Sequence, residues 1–221
     1  MGHGSNIMGE SDMEKVVRLS HGSGGKQMQR LIHEVFHKHL GNRILNSMTD
    51  SAILKIPADQ IAFTTDGFVV DPIFFPGGDI GNLAVCGTVN DLAVSGAKPL
   101  YLSSSFIIEE GFSVDDLERI VVSMAMEAKR AGVTIVTGDT KVVNKGKCDK
   151  IFITTSGIGL LEKKNLHISK GQKVKKGDVI IINGTIGDHG MTVMNARESF
   201  HFNSSLQSDC FPLNRMIGDI L

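Results

Sequence analysis

The sequence lacks the features that attach proteins to membranes or nucleic acids. No apolar run approaches the roughly 18 residues needed to span a bilayer, and the N-terminus lacks the basic-then-apolar order of a signal peptide. The 23 basic residues nearly balance the 24 acidic ones, so the formal net charge is −1 and there is no electrostatic reason to bind a polyanion. We therefore expect no membrane partner and no nucleic-acid partner.

Cysteine is also scarce. The three cysteines are far apart in the sequence and none has metal-ligand spacing: Cys86, Cys148 and Cys210. This usage is typical of a reducing, cytoplasmic setting, and it indicates thiols in the core rather than metal ligands.

The residues that are present suit a globular protein. The 221 residues are 41% hydrophobic and 21% charged, as in soluble domains. This length allows one large domain or one and a half ordinary ones. Several of the 25 glycines stand in turns that precede helices, and the functional signals are found around these turns.

One helix should lie at the centre of the fold. Residues 79–96 are apolar on nearly every side, with Asp79 placed as N-cap and Gly96 as the C-terminal stop, so we expect this helix to be buried. Asn90 and Asp91 interrupt its apolar surface. A carboxylate on a buried helix is costly unless donors or a cation meet it, so Asp91 indicates a site.

Strands alternate with two long helices and several hairpin-like returns, which favours an α+β or α/β fold with a mixed sheet. We divide the chain into a disordered leader at 1–14, a first domain at 15–161, a polar and basic linker at 162–176, and the incomplete start of a second α/β domain at 177–221. An apolar strand is expected at 178–183. The last segment is too short for a domain comparable with the first, so we expect a truncated protein.

A glycine-rich turn, His-Gly-Ser-Gly-Gly-Lys at 21–26, precedes a helix with apolar residues at helical spacing. Such a turn offers backbone N–H groups and the positive end of a helix dipole, which suit a phosphate. The spacing matches neither the Walker A motif nor G-x-G-x-x-G. From the residues alone, a plain strand-to-helix turn is therefore the favoured interpretation, phosphate binding is the alternative, and the role of His21 stays open.

Four aspartates form a candidate metal site: Asp50, Asp66, Asp91 and Asp139. Taken singly, each is more often a turn former or a helix cap. Strand ends of an open sheet meet at one edge, however, and carboxylates gathered there would repel one another without divalent cations. Oxygen-only ligands suit Mg²⁺ that also contacts phosphate, so the set indicates Mg-ATP.

Further polar residues could serve the same phosphate. Lys141 could hold it as a point charge or be a surface lysine, and Thr137 and Thr140 could donate hydroxyl hydrogen bonds. Asn90 could orient a metal-bound water or cap a neighbouring loop. His189, in a second glycine-rich turn, could be a base, although a lone histidine there is more often structural. Phosphoryl transfer depends on positioning and charge neutralisation, so the absence of a nucleophile is no objection.

Five motifs occur in an order that resembles a known family: HGSGGKQM, TTDGFVVDPIFFPGGDIG, the central helix, VTGDTKVV and GTIGDHG. From about residue 16 to the last residue, the chain resembles the HypE family of hydrogenase maturation proteins, within the PurM (AIR-synthase-like) superfamily of ATP-binding enzymes. A selenophosphate synthetase would carry a reactive cysteine or selenocysteine near the first glycine turn, where this sequence has His21-Gly-Ser-Gly.

The resemblance implies a PurM-like N-terminal domain whose mixed sheet forms a barrel shared by two subunits, and hence a homodimer. It assigns phosphate binding to the first glycine turn and metal-phosphate contacts to the four aspartates. Together with the polar residues above, the expected nucleotide-binding set is Gly22, Ser23, Gly24, Gly25, Lys26, Asn90, Thr137, Thr140 and Lys141. The catalytic candidates are Lys141 and His189.

The resemblance also implies a reaction. Proteins of this family accept a carbamoyl group on a C-terminal cysteine from the carbamoyltransferase HypF, and use ATP to dehydrate it to a thiocyanate, the source of the cyanide ligands of nickel–iron hydrogenase. Besides a second copy, the expected partners are a HypF-like carbamoyltransferase and a HypC–HypD-like iron scaffold. The accepting cysteine has no counterpart here, because the chain ends in Gly-Asp-Ile-Leu and Cys210 is not terminal.

Two other functions stay open at this point. A small-molecule kinase or synthetase of the same superfamily would share the motifs. A non-catalytic module of the maturation complex would bind partners without turning over ATP, and a chain that lacks the acceptor cysteine suits this interpretation.

Overall fold

The fold is built on a four-stranded mixed sheet in a computed structural model that describes residues 15–49, 51–198 and 205–221. The strands are, in chain order, β1 (Ile61–Phe68), β2 (Phe74–Phe75), β3 (Gly78–Asp79), β4 (Ala97–Glu109), β5 (Thr134–Val143) and β6 (Ile151–Leu161). The large sheet has the order β1-β6-β4-β5, in which β6 is antiparallel to both neighbours and β4 is parallel to β5. The mixed sheet predicted from the sequence is therefore confirmed. The predicted leader lies outside the described residues.

The helices lie around this sheet. They are α1 (Lys26–Leu31), a π-helical segment (Ile32–His37), α2 (Lys38–Leu40), α3 (Ile80–Val94), α4 (Val114–Ala131), α5 (Asp188–Glu198) and α6 (Asn214–Ile220). Short 3₁₀ helices occur at Leu19–Gly22, Leu45–Ser47 and Lys163–Asn165. Within the described ranges, none of these helices is long and apolar enough to cross a lipid bilayer.

The two faces of the sheet differ because side chains alternate along each strand. On β4, Leu102, Ser104 and Phe106 are buried on the face that carries the helices. On the opposite face, Phe63 of β1 is 67% exposed and Ile107 of β4 is 40% exposed. One face of the sheet is therefore covered by helices of the same chain. The other face, called the open face below, presents apolar side chains to the outside.

Helix α3 is the buried centre that the sequence predicts. Asp79 caps it by accepting hydrogen bonds from the backbone N–H groups of Gly81 (2.7 Å) and Asn82 (3.0 Å). Gly96 follows its last turn in the left-handed conformation, with φ of +85°. The helix packs against β1, β6 and α4. Asp91 nevertheless lies on the exposed side of α3, so the prediction of a buried carboxylate that needs compensation was wrong.

Helix α4 follows from local signals in the same way. The Ser113 side chain accepts a hydrogen bond from the Asp116 N–H (3.2 Å), and Gly132, with φ of +73°, ends the helix. Its buried face consists of Leu117, Ile120, Val121, Met124 and Ala128, which recur at helical spacing.

The C-terminal part departs from the sequence-based prediction. Residues 178–183 form no strand, and Ile180 in this run is 92% exposed. A strand needs a neighbour to satisfy its backbone N–H and C=O groups, and none lies beside this run among the described residues.

The three cysteines differ in burial. Cys86 is buried, whereas Cys148 and Cys210 are half-buried, so the prediction of three core thiols holds for one of them.

Glu118 ties α2 to α4, and we expect Glu118→Gln to lower the free energy of unfolding near neutral pH. Hydrogen bonds from Lys38 and His39 lower the pKa of Glu118 below its ordinary value of 4.5. A carboxyl group with a lowered pKa stabilises the folded state above its unfolded-state pKa, and this contribution is lost as the pH falls through the folded-state value. The group is partly exposed, so the expected effect is about 0.5 to 1 kcal/mol.

Urea unfolding measures this effect. The wild type should be more stable than Glu118→Gln near neutral pH, and the two proteins should converge at an acid pH below the lowered pKa of Glu118, where the carboxylate is protonated. A difference of the same size at both pH values would contradict the assignment.

Candidate functional site

Two of the four aspartates lie together between β1 and α3. Thr88 donates a hydrogen bond from Oγ1 to Asp66 Oδ2 (3.2 Å), and Thr64 donates one to Asp91 Oδ2 (3.3 Å). Thr64 and Asp66 share one face of β1, while Thr88 and Asp91 are one turn apart on α3. The two elements therefore bring the carboxylates of Asp66 and Asp91 near each other.

The electrostatics of this pair favour a cation. Partial burial and the neighbouring charge of Asp91 raise the pKa of Asp66, and the hydrogen bond from Thr88 offsets part of this rise. Two like charges held close together are stabilised by a positive ion between them. The carboxylates of Asp66 and Asp91 are also oxygen ligands of the kind that Mg²⁺ prefers, so the residues fit that ion.

A chain of hydroxyl groups fixes Asp66. Thr88 Oγ1 lies 2.5 Å from Thr155 Oγ1, and Thr155 donates to the carbonyl oxygen of Ala84 (2.9 Å). Both threonines are fully buried. The Thr155 hydroxyl thus holds Thr88 in the position from which Thr88 donates to Asp66. Thr64, Thr88 and Thr155 were not predicted as site residues, although a threonine within the apolar run of α3 was a usable signal.

Asp139 lies at the other edge of the sheet. It is on β5, in register with Ser105 of the open face, and its carboxylate forms an exposed ion pair with Lys141 (3.2 Å). Three strand spacings of about 4.8 Å place the edge strands β1 and β5 roughly 14 Å apart. Asp139 therefore does not join Asp66 and Asp91 within one chain.

The expected meeting of all the aspartates at one sheet edge is not found in the described part of the chain. No group of three or more His, Cys, Asp or Glu side chains there could hold a metal ion, and Asp50 lies outside the described residues. The expectation relied on strand ends that gather at one edge, as in a parallel sheet. In this sheet β1 and β5 are opposite edges and only β4 and β5 are parallel.

The first glycine turn accompanies Asp139 at the β5 edge. An added Cβ on Gly22 would lie 2.8 Å from the backbone nitrogen of Val142, so this position requires glycine. Next in the turn, Gly24 has φ of +81°, and Ser23, Gly25 and Lys26 are exposed. This edge therefore combines exposed backbone at 23–25 with the side chains of Lys26 and Lys141.

Two residues near this edge, His21 and Thr140, are buried and do not face the solvent. His21 is buried, and its Nδ1 accepts a hydrogen bond from the Arg18 N–H (2.9 Å). Thr140 is also buried, because it is in register with Phe106 on the helix-covered face of the sheet. With the half-buried Thr137, it lines a small, largely apolar cavity of about 140 Å³ beneath α1. The Thr140 hydroxyl therefore faces the interior and not the exposed edge.

Asn90 and His189 hold the C-terminal segment in place. The Asn90 amide donates to the carbonyl oxygen of Phe211 (3.0 Å) and accepts from the Leu213 N–H (2.7 Å). The His189 Nδ1 lies 3.0 Å from Ser208 Oγ, and its ring packs edge-on against Phe75. These contacts favour the structural interpretation for both residues.

Comparison with known proteins identifies the family. Residues 48–161 match the model of the AIR synthase related protein, N-terminal domain. This chain belongs to the AIR synthase related family. Within it, the chain is 49% identical over 205 residues to the carbamoyl dehydratase HypE of Rhizobium leguminosarum bv. viciae, a match that covers 93% of this chain and 58% of that protein.

Solved HypE structures agree with this result. A crystal structure of HypE in complex with ATP matches with a TM-score of 0.88 and 48% identity, over 92% of this chain and 60% of that one. A HypE–HypF complex matches with a TM-score of 0.66 and 55% identity, over 85% and 60% of the two chains. The resemblance to HypE is thus confirmed. This chain spans about three fifths of the length of the relatives that it matches.

Proposed function

We propose that this chain is the nucleotide-binding and dimerisation part of a HypE-type carbamoyl dehydratase. The observation that carries the proposal is its similarity, over 92% of its length, to HypE in complex with ATP. Asp66 and Asp91 supply a local reason for the same function, because they form an acidic pair that suits a cation bound to phosphate.

In the proposed reaction, a carboxamide on a cysteine sulfur is converted to a thiocyanate. The amide oxygen attacks the γ-phosphorus of ATP and ADP leaves. Loss of the resulting phosphate, together with both N–H protons, then leaves a carbon–nitrogen triple bond. ATP thereby turns the loss of water into the loss of phosphate.

The residues of this chain would position the nucleotide. Asp66 and Asp91 would hold Mg²⁺, which neutralises phosphate charge when bound. The N–H group of Gly25 and the ammonium groups of Lys26 and Lys141 would bind phosphate oxygens at the β5 edge, where the N–H groups of Ser23 and Gly24 are bonded to Ser20 O (3.4 Å) and Met28 Sδ (3.2 Å). Positioning and neutralisation of charge are the main requirements of phosphoryl transfer.

We further propose that a second copy completes this site. The two groups of residues lie at opposite edges and on opposite faces of one sheet, so one chain alone does not surround a triphosphate. The open face also presents Ile61, Phe63 and Ile107, which are 46%, 67% and 40% exposed. A homodimer formed through this face would cover these side chains and bring the β5 edge of one subunit toward the acidic pair of the other.

The other proposed partners follow from the relatives. A complex of HypE with HypF has been solved, so we propose a HypF-like carbamoyltransferase as the donor of the carbamoyl group. A HypC–HypD-like iron scaffold as acceptor of the cyanide ligand and a cytoplasmic location remain proposals from the family resemblance.

The reaction can be tested on a full-length protein that ends in a cysteine and contains this sequence. With its carbamoyltransferase and carbamoyl phosphate, it should release ADP in an amount that depends on the carbamoyl donor, and Asp91→Asn should slow this release about 100-fold. Asp59→Asn is the matched control, because Asp59 is exposed and pairs with Lys163 (3.2 Å), outside the site. An equal rate of ADP release with and without the carbamoyl donor would contradict the proposal.

A further inference from the structure

One side of α3 is covered by the segment at 208–213. Cys86 and Asn90 are four residues apart, so their side chains project from the same side of the helix. The two hydrogen bonds of the Asn90 amide fix the backbone of Phe211 and Leu213. They therefore hold the residue just before Phe211, which is Cys210, next to the helical turn that carries Cys86.

The two thiols are neighbours. Cys210 lies on the segment that Asn90 holds one turn along α3 from Cys86, and its backbone N–H donates to Ser208 Oγ (3.2 Å). Cys86 is 1% exposed, whereas Cys210 is half-buried. A small reagent from solution therefore reaches this pair at Cys210.

A buried carboxylate lies beside the pair. Glu127 Oε2 is 4.0 Å from Cys86 Sγ, and the Arg130 guanidinium donates to both Glu127 oxygens (2.8 and 3.1 Å). The same guanidinium lies 4.9 Å from the ring centre of Phe211. The hydrogen bond with Cys210, burial and the negative charge of Glu127 raise the pKa of Cys86. Cys86 is thus held as a thiol, with a base close by.

We propose that Cys86 and Cys210 are a modification site that forms a disulfide by exchange with a low-molecular-weight disulfide, RSSR. First, the Cys210 thiolate attacks one sulfur of RSSR, forms a mixed disulfide and displaces RS⁻. Next, Cys86 gives its proton to Glu127 and attacks the Cys210 sulfur, displacing the second RS⁻. The cysteines lose two electrons and two protons in total, and RSSR becomes two RSH.

The bond would link α3 to the segment that leads into α6. In the reduced protein, the hydrogen bonds between Asn90 and this segment, the contact between His189 Nδ1 and Ser208 Oγ (3.0 Å), and the packing of α6 on α3 hold the segment in place. Oxidation would replace this reversible docking with a covalent link that a thiol reductant removes. Cys86, Cys210 and Glu127 lie outside the proposed nucleotide site, so formation of the disulfide does not depend on that site.

The test is oxidation of this chain with glutathione disulfide, followed by acid quenching, alkylation and intact-mass measurement. The number of free thiols should fall from three to one, and a non-reducing digest should contain a peptide pair joined through Cys86 and Cys210. Cys86→Ser should stop at a mixed disulfide with glutathione on Cys210. Cys148→Ser, which alters the half-buried cysteine outside the pair, should form the internal disulfide as the wild type does.

Three results would overturn the proposal. They are a wild type that stops at the mixed disulfide, an internal disulfide that includes Cys148, and three thiols that stay free in fully oxidised glutathione. Cys210→Ser provides a second test that leaves the core unchanged, because Cys210 is half-buried. That variant should form no internal disulfide and should keep Cys86 free.

Discussion

Gly81→Ala should lower the free energy of unfolding by about 3 kcal/mol, because α3 and α4 touch at this residue. A Cβ on Gly81 would lie 2.9 Å from Met124 Cγ and closer still to the carbonyl oxygen of Ile120. The carbonyl belongs to the α4 backbone and is unable to rotate away, so the two helices must separate. Alanine has a higher intrinsic helix propensity than glycine, by about 1 kcal/mol. A large loss of stability in Gly81→Ala would therefore be caused by the disturbed packing of α3 against α4.

Gly190→Ala is the matched control. Gly190 lies in α5, and nothing is within 4 Å of the position that its Cβ would occupy. The same substitution there should leave the stability unchanged or raise it by up to about 1 kcal/mol. Urea unfolding of both variants at one pH measures the difference. A Gly81→Ala protein as stable as the wild type would contradict the close approach of α3 and α4.

The parts of the fold that depend on neighbouring residues could be predicted from the sequence. Helix α3 has its start at Asp79 and its end at Gly96, and α4 is bounded by Ser113 and Gly132. These signals are local, because a cap acts within one helical turn. The apolar run at 178–183 shows the limit of this reasoning, since a strand forms only where another strand pairs with it.

The site was less predictable, because it depends on strand order. The sequence identifies Asp66 and Asp91 as candidates, and the structure brings them together. The sequence does not reveal that Asp139 lies at the opposite edge, because edge positions follow from the strand order β1-β6-β4-β5. The hydrogen bonds that link Asp66 to Thr88 and Thr88 to Thr155 join β1, α3 and β6, which are far apart in the sequence. These contacts could be recognised only in the folded structure.

Asn90 illustrates the same limit on a single residue. A polar residue on an apolar helix is consistent with a ligand contact or with a cap for a neighbouring segment. The choice depended on residues more than a hundred positions away, at Phe211 and Leu213. Its amide is satisfied on both sides by that backbone, which favours the structural role.

The second large effect concerns nucleotide binding. If Asp91 of one subunit and Asp139 of the other serve the same ATP molecule, Asp91→Asn and Asp139→Ala should each weaken Mg-ATP binding by about 100-fold. Asp59→Asn should bind as the wild type does, because Asp59 pairs with Lys163 (3.2 Å), outside the site. Binding by the wild type should also require magnesium.

Calorimetric titration of Mg-ATP into a mixture of the Asp91→Asn and Asp139→Ala proteins, after subunit exchange, tests the shared site most directly. A mixed dimer has one site with both aspartates intact. Half of the dimers formed at random are mixed, so the mixture should recover about a quarter of the wild-type binding capacity with wild-type affinity. If the mixture binds no better than either variant alone while the wild type binds, or if both variants bind as the wild type does, the site is not shared between subunits in this way.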